Sequence, residues 1–308
     1  MASIPELLRD RAELESRLKL ISRDGTIEIK TINGGRFLYE RKRVLGKLTS
    51  QYIDKYSDEL YALLVRQSFE ARSLKKGIRA LDKKLAESGY QEGRLSERVM
   101  LNLDFARANV KSLIYDQAVL EGVSTTFPQT ETILENGKVN GVTPSDIQKI
   151  INLKHAWEFI LDKAVIAARS DYYLLCHIAK LVNEGFYEYG GRIRSVPVTI
   201  GGTSYIPPIP QEFEVKEQIQ ALASGQEDKV DIAISLCLYC MKTQVFNDGN
   251  KRASVIFANH YLIGQGQGLM VIPESDVSEF RTLLVAYYEG RDEVRIREFM
   301  RTRCWRKF

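Results

Sequence analysis

The sequence predicts a mainly α-helical protein in two parts, with small β-hairpins. Three observations predict it. Most of the chain falls into segments whose apolar residues recur at helical spacing. Several of these segments open on proline and an acid, and several stop at glycine. The strand period is confined to two short stretches, each broken by a glycine-rich turn.

The first helix is expected from about Pro5 to Ser22, with Leu7, Leu14 and Ile21 on one stripe and Leu18 beside it. Pro5 suits the first turn and Glu6 the positive end of the dipole. Thr26 to Ile32 then alternates, Asn33-Gly34-Gly35 turns and Arg36 to Tyr39 returns, a hairpin pattern. A long helix follows from about Asp54 to Ser88. Its seam is Leu60, Leu64, Ala71, Leu74, Ile78, Leu81 and Leu85, with a polar break at Gln67. Such a seam needs a partner helix. The first helix can supply it, or a second copy of the chain can, giving a homodimer through the N-terminal helices.

Another helix is expected over about 95–120, and the domain boundary is placed inside it. Residues 1–107 then form an N-terminal helical arm, a helical hairpin or coiled coil carrying the β-hairpin, and residues 108–308 the second domain. Residues 124–142, rich in Thr, Gly and Asn, read mainly as loop. Thr143-Pro144-Ser145-Asp146 starts a helix, with threonine as cap and proline in the first turn. A further helix covers about Ser170 to Glu184. Val196 to Ile200, the turn Gly201-Gly202-Thr203, and Ser204 to Ile206 read as a second hairpin. Pro207, Pro208 and Pro210 end it. Helices are expected again at about 212–224, 228–244, 250–264, 277–290 and 294–304.

The bulk numbers exclude some classes. Over 308 residues, 44% are hydrophobic and 27% charged, enough to bury a core. A net charge of +4 gives no reason to expect nucleic acid as a partner. The late cluster Arg295, Arg297, Arg301, Arg303, Arg306 and Lys307 reads as a solvated helix face and a charged tail. Cys237 and Cys240 form a C-x-x-C, but in an apolar run with no second pair, so they read as buried thiols. No apolar stretch approaches the roughly 20 residues that span a bilayer. The N-terminus has neither a basic nor an apolar leader region. The expectation is a cytoplasmic protein with no membrane partner.

The sharpest local pattern is Val245-Phe-Asn-Asp-Gly-Asn-Lys-Arg252, between the end of one helix and the start of the next. Gly249 permits a backbone turn that gathers N–H groups at a helix N-terminus, an anion site. Asn250 can donate to phosphate oxygens, while Lys251 and Arg252 add positive charge, Arg252 with a two-pronged grip. Asp248 would repel a bare phosphate but suits a Mg²⁺ bridging two phosphates.

The run resembles the Fic family motif, H-P-F-x-[DE]-G-N-[GK]-R, at Phe246, Asp248, Gly249, Asn250, Lys251 and Arg252. Asp146 to Leu161 looks like the family's early core helix, and Gly191 to Pro208, with Arg194, like its flap and proline-rich loop. The resemblance covers about Ser112 to Arg303. It implies a helical Fic-type domain that binds ATP with Mg²⁺ and transfers AMP to a hydroxyl side chain of a target protein. Asp248 would hold the metal; Gly249, Asn250, Lys251 and Arg252 the phosphates; Phe246 would anchor the loop. The flap, through Val198, Ile200, Gly201, Gly202 and Thr203, would dock a target peptide as an added strand.

Two positions depart from the pattern. Gln244 stands where the family has its general-base histidine, and an amide cannot accept that proton. Val255 stands where adenylylating relatives carry a second arginine. Loss of a general base typically costs about 10²–10⁴ in rate. Glu121-Gly122 resembles the family's inhibitory helix, with Gln117 at its Ser/Thr place. It reads equally as a plain helix end. His155, His177 and His260 fall in core-like runs or beyond reach of the loop. Two readings follow: a weakened or altered adenylyltransferase, or a non-catalytic module that binds a nucleotide or peptide.

Overall fold

A computed structural model describes residues 2–307. The described residues divide into two compact units, one up to Gln91 and one from Glu92 onward. The boundary expected at 107/108 is therefore corrected to 91/92. The helix meant to contain it belongs wholly to the second unit, and the break falls in the exposed stretch of Gly89 and Gly93.

The first unit opens with α1 (Ile4–Leu20), whose start is closed by a capping box between Ser3 and Glu6. Next come β1 (Thr26–Ile32), β2 (Gly35–Val44) and β3 (Lys47–Lys55), an antiparallel sheet in the order β1-β2-β3. Ile32 pairs with Gly35 around the Asn33-Gly34 turn, as expected, and Val44 pairs with Lys47 around Leu45-Gly46. The third strand is an addition to the expected hairpin. It has almost no buried face to impose alternation, and backbone pairing to β2 holds it. It also displaces the start of α2 (Asp58–Glu87), placed four residues earlier from sequence. α2 packs on α1 within the chain. At Gly77 an added Cβ would lie 2.8 Å from Leu14 Cδ1, so the two helices approach closely there. Leu7, Ala12, Leu38, Leu64, Ala71 and Leu74 make the core of this unit.

The second unit contains α3 (Glu97–Leu120), α4 (Phe127–Leu134), α5 (Pro144–Ile160), the short α6 (Lys163–Ile166), α7 (Tyr172–Val182), α8 (Glu212–Ala223), α9 (Lys229–Thr243), α10 (Asn250–Gly264), α11 (Val277–Tyr288) and α12 (Glu293–Phe299). A two-stranded ribbon pairs β4 (Leu269–Met270) with β5 (Trp305–Arg306). The mainly α class is as the sequence predicts. α10 runs through the middle of the core, packed by α9, α7, α3 and α5. Its Ala253, Ile256, Phe257, Ala258 and Leu262 have no exposed surface. A helix apolar on nearly every face needs partners all round. Asn259 exchanges hydrogen bonds with the main chain of Met270 (2.7 and 2.9 Å), pinning β4 to α10.

The stretch 124–142 is mainly loop, as expected, interrupted by α4, which Thr126 and Gln129 start with a capping box. One expectation is corrected in this unit. The expected flap hairpin at 196–206 keeps its turn, with Gly202 at φ 83°, but forms no strand pairing. Pro197, Pro207 and Pro208 supply no N–H, and the carbonyls of Val196, Pro207 and Pro208 are taken by the Arg194 side chain instead. The basic tail is a largely solvated face, as expected, and its charges are paired at the surface: Arg297 with Glu293, Arg301 with Asp228 and Asp231, and Arg303 with Asp276 and Glu279. Cys237 and Cys240 are buried free thiols in α9, with burial raising both above the ordinary thiol range. No cluster of His, Cys, Asp and Glu able to hold a metal occurs among the described residues. No helix of the described residues is long and apolar enough to cross a membrane.

Candidate functional site

The site is built where α9 stops and α10 begins. Gln244 ends α9 in the left-handed region, at φ 48° and ψ 62°, which turns the chain out of the helix. Val245 and Phe246 then bury their side chains, leaving Asn247 and Asp248 exposed. Gly249 returns the chain at φ 72° and caps α10 without a side-chain bond. The opening N–H groups of α10 are thus left for an external acceptor.

The loop is held from inside by Asn250. Its Oδ1 accepts from Phe246 N (2.9 Å), and its Nδ2 donates to Phe246 O (2.7 Å) and to Gln244 Oε1 (3.0 Å). The side chain of the expected phosphate donor is therefore a clamp, and its main-chain N–H, like the other first-turn amides, has no acceptor within its own helix. Gln244 is equally committed, since its Nε2 donates to Met241 O at 2.6 Å. The amide is folded back onto its own helix end, with both ends bonded.

Arg252 lies beneath the loop and is 2% exposed. It donates to Val182 O (2.7 Å), Asn183 Oδ1 (3.4 Å) and Asp248 Oδ2 (3.0 Å). Glu121, at the end of α3, comes within 3.5 Å of Arg252 Nε and 4.0 Å of Lys251 Nζ. Its approach does not complete a hydrogen bond: Arg252 Nε and Glu121 Oε1 are both buried without one. The end of α3 is fixed there. Arg281 donates to Leu120 O (2.8 Å), Gln117 Nε2 donates to Arg252 O (2.8 Å), and Trp157 Nε1 donates to Gln117 Oε1 (2.9 Å). Tyr288 is buried against Gln244. Burial, with the Glu121 charge nearby, raises its hydroxyl far above the ordinary range, so it stays protonated.

Sequence reasoning missed Asn183 and named Arg194 with the flap without giving it a role. Asn183, 1% exposed, donates to Asp248 O (3.0 Å) and Gly190 O (3.2 Å), and its amide fills the space where a Cβ on Gly249 would go. Arg194, also 2% exposed, donates to the carbonyls of Gln244 (2.5 Å), Thr243 (3.3 Å), Val196 (2.8 Å), Pro207 (3.2 Å) and Pro208 (2.5 Å). It ties the flap to the end of α9. No local pattern announces either role, because the partners are distant in sequence. The flap residues Val198, Ile200 and Thr203 are half-buried and Gly201 and Gly202 exposed. Thr203 bonds Glu289 at 2.8 Å.

The three histidines have partners outside the loop. His260 is buried, with Nδ1 2.8 Å from Ser170 Oγ and Nε2 2.7 Å from Val165 O, and burial lowers it to about 4. His155 lies 3.3 Å from Glu184, and His177 stacks on Phe159 at 4.5 Å. The residues present do fit a nucleotide phosphate with Mg²⁺. A buried guanidinium whose Nε completes no hydrogen bond, and the α10 N-terminus, would take the anion once Glu121 gives way. Asp248, half exposed, would take the cation, which characteristically needs only one or two protein carboxylates beside phosphate and water.

Residues 170–262 match the family model described as Fic/DOC family, and residues 3–62 match a domain of unknown function (DUF6788). Among solved structures, the chain is similar to Fic-1 (aa134–508) from C. elegans, at 19% identity and a TM-score of 0.53, over 79% of this chain and 74% of that one. It is also similar to a Fic domain containing signaling protein from Bacteroides thetaiotaomicron VPI-5482, at 17% and 0.50, over 66% and 80%. A Fic family protein from Desulfovibrio desulfuricans G20 gives 15% and 0.52, over 68% and 73%. At these identities the likeness is one of fold. No curated protein matches the chain.

Proposed function

We propose, for a chain whose residues 170–262 are a Fic/DOC-family domain, that the loop from Phe246 to Arg252 holds the phosphates of a nucleotide, ATP with Mg²⁺ being the expected ligand. Transfer of AMP to a target protein's hydroxyl is weak or lost here. The observation that supports the reading is the buried Arg252, whose Nε completes no hydrogen bond and has the Glu121 carboxylate 3.5 Å away. Leaving a buried guanidinium donor unmade is costly, and a phosphate oxygen would complete it.

Each residue has a separate task. Gly249 lets the first-turn amides converge, Asn250 and Asn183 hold that shape, and Phe246 anchors it in the core. Lys251 adds a half-exposed cation. Mg²⁺ would neutralise phosphate charge at Asp248. Glu121 occupies the side of the site where an anion would meet both cations, so it competes with ligand. Transfer would also require removal of the target hydroxyl's proton. Gln244 has no basic atom, and its amide is bonded at both ends. The flap, held by Arg194, would present the target segment.

Calorimetry with ATP and MgCl₂, alongside label transfer from α-labelled ATP into a lysate, tests both halves. Saturable binding with no label, and label appearing once Gln244→His is introduced, is the expected result. Strong transfer by the unaltered protein would favour an active transferase with another base. Absence of binding even in Glu121→Gln would remove the phosphate site altogether.

A further inference from the structure

A second cleft lies in the same unit and shares no residue with the phosphate loop. It encloses about 930 Å³ between α10's C-terminal half, α8, the start of α7 and the chain leading into α3. That is the size of small-molecule sites, which run to roughly 1,000 Å³. Tyr261, one of its lining residues, is roughly 16 Å along α10 from Asn250 at 1.5 Å per residue.

Its chemistry is uneven. Val99, Ile166 and Ile219 give it a buried apolar wall. The Tyr261 side chain is 4% exposed, and its hydroxyl has no hydrogen-bond partner. Three further polar groups of the wall are committed. His260 donates through Nε2 to the Val165 carbonyl, so its Nδ1 accepts from Ser170. Asp171, the acid of the lining, caps α7 through Leu174 N at 2.8 Å. Lys216 pairs with Glu212 at 2.6 Å. Two cations of the rim, Arg94 and Arg169, are exposed and form no ion pair among the described residues. An apolar wall, an orphan hydroxyl and two unpaired guanidinium groups select one kind of guest.

We infer that this cleft is a ligand site for a small organic anion with an apolar body, the body lying on Val99, Ile166 and Ile219 and the acid group meeting Arg94 and Arg169. The Tyr261 hydroxyl would receive the ligand's hydrogen-bonding atom.

Fluorescence titration of the full chain with 8-anilino-1-naphthalenesulfonate tests it, with the uncharged N-phenyl-1-naphthylamine as the matched probe. The sulfonate should saturate one site and bind about ten-fold or more tightly than the neutral amine, with no displacement by ATP and MgCl₂. Arg94→Glu with Arg169→Glu should weaken the sulfonate by about ten-fold or more, and Ala223→Trp, filling the cleft from α8, should abolish it. Equal affinity for the two probes, unsaturable binding, or a titration unmoved by the arginine pair overturns the proposal. Those arginines are exposed, so their variant remains decisive if Ala223→Trp does not fold.

Discussion

Gly249 is the residue on which the loop geometry turns. Its φ of 72° lies where side chains are strained, and an added Cβ would stand 2.7 Å from Asn183 Oδ1. Asn183 cannot swing aside without breaking its bonds to Asp248 and Gly190. Gly249→Ala should therefore cost at least about 1–2 kcal/mol from the backbone alone. Chemical denaturation should show that loss, and calorimetry should show weaker nucleotide binding. His260 supports a different residue-scale prediction. Burial holds it near 4 in the folded chain, while its ordinary value is 6.5; the Val165 carbonyl and the more distant Asp171 only partly oppose burial. A lowered folded value means that the unfolded chain takes up the proton first. The stabilisation is full above pH 6.5 and drains away as pH falls toward about 4. The amount is on the order of 3 kcal/mol. Melting temperatures between pH 7 and pH 4.5 should fall less steeply in His260→Gln than in the unaltered protein.

Arg194 acts between elements, joining the flap to the end of α9 through five carbonyls and no carboxylate. Arg194→Met should cost about 2–4 kcal/mol, because several partly buried acceptors lose their donor together. Thermal melts should register it, and limited proteolysis should cut within 196–206 faster than in the unaltered chain. Unchanged cleavage would mean that the flap is held by Thr203 and Glu289 alone. What the sequence disclosed follows the same division between local and distant. Helices announced by their own caps, such as α5 at Thr143 and α1 at Pro5, were legible because cap and helix are neighbours. So was the loop, since Asp248, Gly249, Asn250, Lys251 and Arg252 lie in one run. β3 was not, because a strand exposed along nearly its whole length has no alternation to read. β4 was hidden for another reason: its two residues are extended because Asn259 and the distant Trp305–Arg306 segment hold them. α4 had a readable capping box, but the surrounding Thr, Gly and Asn outweighed it. In the site, Asn250 was legible as a member and not as a clamp, since the direction of its amide depends on Gln244 and Phe246 after folding.

At the scale of the whole molecule the chain is two units, each with its own interior. The first buries Leu7, Leu38, Leu64 and Ala71 among two helices and a sheet; the second is organised around α10. Every residue of the loop from Gln244 to Arg252, with Glu121, Asn183, Arg194 and Trp157, belongs to the second. No hydrogen bond described for that loop reaches a residue before Glu92. A unit with its own core is expected to fold alone, and boundaries fall in exposed, glycine-bearing stretches such as 88–96. A fragment beginning at Glu92 should therefore fold cooperatively and bind ATP with MgCl₂ within about three-fold of the full chain, less than 1 kcal/mol. In calorimetry the full chain should show the fragment's transition together with a separate one from the first unit. A fragment that is unfolded, or that folds but loses the nucleotide, would mean that the phosphate loop depends on residues before Glu92.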